Sequence, residues 1–201
     1  MSDAMSNRPA APRTRRGQDT RAGILRAAEA VIGEVGFVAA SIADITRRAG
    51  IAQGTFYIYF QSKDEVFREL VIEMGRLTRA FLAEAVADAP DRLTAERRGL
   101  RAFLVFVADR TTLYNIVMEA RFVAPDAYRA YYTTFARGYA QNLAAAAREG
   151  EIRAGDAETR AWALMGMAIT LGERFAIWEG EADLDRVVDE VFDMLERGLR
   201  P

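Results

Sequence analysis

Residues 41–63 read SIADITRRAGIAQGTFYIYFQSK. Ser41 has the character of a helix N-cap: its hydroxyl can accept from the Asp44 amide, and Asp44 can reach back over the first turn. The helix that starts there, Ser41–Ala49, stops at Gly50. A second, Ala52–Tyr59, follows the tight turn Gly50-Ile51. A break of that size lets two helices cross steeply, which is the helix-turn-helix arrangement. Ile42, Ile45, Ala49, Ile51, Phe56 and Phe60 are the positions expected inside, where they fix the crossing. Gln53, Gly54, Thr55, Tyr57 and Tyr59 are left outside on the second helix. A residue without a side chain permits close approach, and an amide, a hydroxyl and phenols can bond phosphates or base edges in a groove.

Outward from this stretch, the chain reads as helix in both directions. Upstream, Ile24, Ala28, Val31, Ile32 and Val35 give a helix over Asp19–Val35, with Gly36 placed to end it. Residues 1–17, rich in Pro, Ala, Ser and Arg, read as a disordered basic tail. That tail is either an inert leader or an arm that adds phosphate or minor-groove contacts. Downstream, Ser62-Lys63-Asp64-Glu65 is a second capping box, opening a long helix through Leu70, Met74, Phe81 and Leu82 toward Pro90. Leu93–Asp109 carries Phe103 to Val107, apolar all round and therefore expected to be buried on every side. Thr111–Phe122 is a further helix. Pro125 sits at a first helical position and opens a helix bearing Tyr128, Tyr131, Tyr132, Phe135, Tyr139 and Leu143, which ends near Gly150. Asp156 caps a helix to about Trp178, and the last spans roughly Leu184–Leu199. The reading is all-α, about nine helices, with no strand.

Composition narrows the function. Of 201 residues, 51% are apolar, enough for a sizeable core, yet no apolar run approaches the ~18 residues of a membrane helix. The N-terminus has arginines but no apolar segment behind them, so no secretory signal is expected. Cysteine and histidine are both absent. Thiolate chemistry is excluded, and the commonest general base and zinc ligand are missing. The expectation is a cytoplasmic protein with no metal, no cofactor and no membrane partner, and not an enzyme. The net charge of −2 hides an asymmetry: residues 1–63 carry +4 and the remainder −6. A basic head on an acidic body suits a protein whose head alone meets a polyanion.

The sequence resembles the TetR family of regulators. The resemblance lies in Ile45 and Ala49-Gly50, then Gly54-Thr55-Phe56-Tyr57-Ile58-Tyr59-Phe60, then Ser62-Lys63-Asp64-Glu65, with Ile24, Ala28 and Val31 fitting the helix before. It covers about Thr20–Leu70, a quarter of the chain. It implies a three-helix DNA-binding domain over 18–64, with the helix-turn-helix at 41–60, and a larger helical ligand-binding and dimerisation domain over 65–201. It further implies that Thr55, Tyr59 and Lys63 contact phosphate, that Ser41 can donate to phosphate, and that Gln53, Gly54 and Tyr57 face the major groove. Arg47 or Arg48 either reaches the DNA backbone or is a solvated face residue. Ile58 and Gln53 depart from the common pattern, which leaves the operator sequence open; Ile58 is a candidate for a thymine methyl.

The C-terminal helices carry more apolar surface than one side of a helix needs. Leu164, Ala168, Leu171 and Phe175 step along one helix, and Val188, Val191 and Leu195 along the last, with Met194 widening the stripe. Such faces must bury against something beyond their own body, and the resemblance implies a second copy of the same pair. Phe103, Phe106, Tyr114, Met118, Phe122, Tyr128, Tyr132, Phe135 and Trp162 are the candidate lining of a cavity for a small apolar or aromatic effector. Glu119, in an apolar stretch, is expected to pair with Arg121. The implied function is a homodimeric repressor on a palindromic double-stranded DNA operator, released by that effector. The competing readings are a DNA-binding structural or cell-division factor on the same fold, and a helical-bundle enzyme using carboxylates such as Glu119 or Glu173.

Overall fold

The computed structural model describes residues 14–180 and 182–199. Among these are nine α-helices and no strand: α1 (Arg15–Ala39), α2 (Ile42–Ala49), α3 (Gln53–Tyr59), α4 (Lys63–Val86), α5 (Arg92–Asp109), α6 (Thr111–Val123), α7 (Pro125–Arg148), α8 (Ala157–Leu171) and α9 (Leu184–Leu199). The protein is all-α, as expected. No helix among the described residues is long and apolar enough to cross a membrane.

The helical path of α1 breaks at Gly36 (φ 78°), where the sequence reading ends the helix, and residues 37–39 add a short helical stretch beyond it. Two other boundaries differ from the sequence reading. α1 begins at Arg15 rather than Asp19, because the Thr14 hydroxyl accepts from the Gly17 amide at 3.2 Å and caps the helix there. Residues 14–17 of the expected tail are thus cap and first turn; residues 1–13 lie outside the described residues. The helix expected from Asp156 to Trp178 changes character at Gly172, where α8 continues as a π-helical segment, Gly172–Trp178. Gly172 is buried, and a Cβ there would stand 3.4 Å from the Phe103 ring.

The chain divides into two compact units. The first comprises residues up to Met74 together with Thr112–Arg129. It is therefore larger than the 18–64 domain, since most of α6 packs with the N-terminal helices. A Cβ on Gly33 would lie 2.2 Å from the Thr112 methyl, so α1 and α6 approach closely at this glycine. Glu119 on α6 accepts from the Phe37 amide at 2.8 Å. That bond corrects the expectation of an ion pair with Arg121, which is exposed with its guanidinium near the Phe122 ring. The core of this unit is Ile24, Ala28, Ile32, Ile45, Phe56, Phe60, Val66 and Phe67, with Ile116 and Val117 from α6. Arg68 binds the Asp126 carboxylate at the start of α7.

The second unit is Gly75–Thr111 with residues from Ala130 onward. Leu104 and Phe106 on α5 are buried; Phe103 and Val105 are only half-buried, so α5 is less enclosed than an all-round apolar helix suggests. α5 packs against α8, its π-helical continuation and α9. One core cluster joins Leu104 to Val187 and Val188, and another joins Leu143, Ala146, Ile152 and Ala161. A polar trio around the buried Glu96 pins the start of α5. Arg92 donates to Glu96, and the Tyr139 hydroxyl donates to the other Glu96 oxygen. Burial first, and the Glu96 carboxylate next, push the Tyr139 phenol well above its ordinary range.

Candidate nucleic-acid interface

The local chemistry of α2 and α3 fixes the helix-turn-helix. The Ser41 hydroxyl accepts from the Asp44 amide at 3.1 Å and donates to the Asp44 carboxylate. α2 ends at Gly50, whose φ of 67° and ψ of 32° are left-handed. Few residues other than glycine adopt that conformation without cost. In that conformation the Ile51 amide donates to the Thr46 carbonyl at 3.1 Å and closes the turn. α3 then lies with Phe56 and Phe60 wholly buried, their rings 5.8 Å apart. Arg21 of α1 stacks over Phe60 at 4.9 Å and pairs with Glu69 of α4 at 2.8 Å. The recognition-helix candidate is thus held from beneath by a packed aromatic core and flanking ion pairs.

What α3 leaves outside agrees with the sequence reading at most positions. Gln53, Gly54 and Tyr57 are exposed, Tyr57 at 51%. Thr55 and Tyr59 are half-buried at the flanks. Ile58 is 67% exposed, more than any other large apolar residue of α3.

The remaining expected contacts have internal partners. Lys63 turns its ammonium to the end of α1. It donates to the carbonyls of Phe37 at 2.5 Å and Ala40 at 2.6 Å, and sits 4.3 Å over the Phe37 ring. It closes the α1–α2 connection, which sequence spacing gave no means of seeing. Arg47 pairs with Asp44 one turn back, and Arg48 with Glu34 at 2.6 Å. The Ser41 hydroxyl first and Arg47 next hold the Asp44 carboxyl below its usual range.

The expected effector lining divides between the two units. In the first, Tyr114 is buried and Met118 and Tyr128 are half-buried, but Phe122 is 83% exposed. In the second, Phe106 and Tyr132 are buried and Phe103 and Phe135 half-buried, but Trp162 is 41% exposed. Phe122 and Trp162 point outward and line no interior. A recess of about 500 Å³ in the second unit is bounded instead by Gln141, Ala144, Ala147, Arg148, Ala154 and Gly155.

The expected dimer stripe also divides. Val188 is buried with Leu104, and Leu171 and Phe175 pack on that cluster; Leu164 packs on the cluster around Leu143. Of these four only Val188 is fully buried in the subunit's own core; Leu164, Leu171 and Phe175 are half-buried against it. Ala168, Val191 and Leu195 are half-buried, Met194 is 58% exposed and Trp178 69%. No group of three or more Asp or Glu placed to hold a metal occurs among the described residues.

Residues 24–70 match the family described as bacterial regulatory proteins, tetR family. The HTH-type transcriptional regulator YdgC of Bacillus subtilis (strain 168) is 29% identical over 191 residues, 92% of this chain and 95% of that protein. Among solved structures, the fold is similar to that of the transcriptional regulator FadR from Bacillus subtilis in complex with stearoyl-CoA. There the TM-score is 0.75 at 19% identity, over 87% of this chain and 96% of that one. It is also similar to AibR in complex with isovaleryl coenzyme A and operator DNA, with a TM-score of 0.69 at 16% identity, over 87% and 97%. The matches are to regulators, and the helical-bundle enzyme reading is dropped. The matched residues run from Ile24 in the core of α1 to Leu70 in α4 and so contain the whole buried-Phe56, exposed-Tyr57 arrangement; through them this part of the chain is similar to the tetR family of bacterial regulatory proteins.

Proposed function

We propose that the protein is a homodimeric, cytoplasmic repressor that holds a palindromic operator through α3 and releases it when a small molecule with an apolar or aromatic group binds. The observation that carries this reading is α3 itself: Phe56 and Phe60 are completely buried, while Gln53, Gly54 and Tyr57 are exposed. A helix held by a buried inner face, with polar groups flanking an exposed outer ridge, suits insertion into the major groove. Thr55 and Tyr59, at its flanks, are placed for phosphates. Lys63, Ser41 and Arg47 shape the domain through their internal bonds and contribute to DNA binding indirectly.

Dimerisation is supported by the apolar surface left over on α8 and α9. Ala168, Val191 and Leu195 are half-buried, and Met194 and Trp178 stand out to solvent. A second copy covering these residues presents two recognition helices to two half-sites. For the ligand, the FadR and AibR complexes make coenzyme A thioesters the first class to try. Release requires only that the ligand prefer the conformation with the wrong helix spacing.

The test is selection of bound duplexes from a randomised library by the purified full-length protein, followed by titration with stearoyl-CoA and isovaleryl-CoA. The reading predicts an inverted repeat, two protomers per duplex and release by a thioester. Enrichment without an inverted repeat would contradict the dimer, and binding indifferent to both thioesters would contradict that ligand class. Many scattered chromosomal sites, none beside a regulated promoter, would favour a DNA-organising factor.

A further inference from the structure

On α3, Ile58 is an exposed aliphatic residue at the centre of the outward face, and no polar role accounts for it. At about 100° per residue, Gly54 and Ile58 fall opposite Phe56 and Phe60. The inner pair is completely buried. Gly54 and Ile58 are therefore the residues that reach furthest from the domain. A Cβ built on Gly54 would meet nothing within 4 Å, so the notch beside Ile58 is open. Gln53 and Tyr57 flank the same ridge on one side, and Thr55 and Tyr59 on the other.

An exposed isoleucine at this place is unfavourable in water and contributes nothing to the domain's own core. It becomes favourable when the ridge enters a surface that offers an apolar partner. Along the floor of the major groove that partner is the C5-methyl of thymine; every other base edge presents donors or acceptors. We infer that Ile58 is a specificity-determining residue that selects thymine by its methyl group, with Gly54 as the notch that lets the helix backbone approach closely enough for the contact. This rests on the reading of α3 as the DNA-reading helix. It assigns one operator position per half-site: a thymine beneath Ile58, adjacent to the base pairs met by Gln53 and Tyr57.

The experiment removes the methyl from the DNA rather than only the side chain from the protein. Duplexes enriched by the full-length protein from a randomised 30-base-pair library are resynthesised with deoxyuridine at each thymine of the half-site in turn. Pairing is unchanged and only the methyl is lost. At one thymine per half-site, deoxyuridine is expected to weaken wild-type binding about fourfold, the worth of one buried methyl. With Ile58→Ala, whose exposed position leaves the core intact, thymine and deoxyuridine at that position are expected to bind equally. Loss of affinity at no thymine would overturn the inference, as would a loss of equal size in wild type and Ile58→Ala. Failure to enrich any duplex would instead overturn the DNA-binding reading and remove the ground of the inference with it.

Discussion

Lys63 separates two accounts of the same residue. The family resemblance implies a phosphate contact, whereas the structure turns the ammonium toward the carbonyls that end α1. Consider Lys63→Met, which keeps most of the stem and removes the charge. Two short hydrogen bonds, to Phe37 at 2.5 Å and Ala40 at 2.6 Å, and the stacking at 4.3 Å on Phe37 are lost. A hydrogen bond to a charged group contributes about 1.5–3 kcal/mol, and the half-buried setting places the total near the lower end, about 2 kcal/mol. With a urea m-value of about 2 kcal/mol/M, the midpoint should fall by about 1 M. The assay pairs urea denaturation, followed by far-ultraviolet circular dichroism, with the salt dependence of DNA binding. Each phosphate contact contributes about 0.9 to the slope of log affinity against log salt. A capping lysine leaves that slope unchanged. A phosphate-binding lysine in each of two protomers would lower it by about 2 and barely move the urea midpoint, and that result would refute the capping role.

Gly54→Ala should stabilise the protein by about 0.5–1 kcal/mol, since α3 is helical there and the added methyl meets nothing, yet weaken DNA binding about tenfold by blocking the notch; melting and anisotropy on the same preparation check both signs. Glu119→Ala strips the Phe37 amide of its acceptor and should cost about 1–2 kcal/mol, with Glu119→Gln recovering part, measured by urea midpoint. The raised Tyr139 phenol sets an alkaline limit. The folded state keeps a proton that the unfolded chain releases near pH 10, so the stability is complete below that pH and declines as pH rises toward the higher folded value. Tyr139→Phe should flatten the decline above pH 10, and identical pH profiles for the two proteins would contradict the account.

What the sequence made legible was local. Ser41, Gly50 and Ser62 announce the ends of α2 and the start of α4 through their own backbone chemistry, and the structure bears them out. Phe56 and Phe60 recur one turn apart and are buried together. What stayed hidden depends on direction. Aromatic content in the C-terminal region suggested a lining, but periodicity does not say which way Phe122 or Trp162 turns, and both face solvent. Val188 lies on a stripe wide enough to serve a subunit core or a dimer, and only the position of α5 assigns it to the core. Thr14 was hidden within a Pro- and Arg-rich stretch, although its hydroxyl caps α1. The partner of Glu119 is a backbone amide 82 residues away, made available by the break at Gly36, and no side-chain pattern encodes it.

The most direct test of the account is the affinity of the full-length protein for its selected duplex against a scrambled duplex of equal length at about 150 mM salt, where specific binders separate from non-specific ones by at least about a thousandfold. The account predicts a preference of that size, cut by about tenfold or more with Tyr57→Ala while the protein stays folded. A preference under about tenfold, or one that survives Tyr57→Ala unchanged, would contradict α3 as the element that reads DNA.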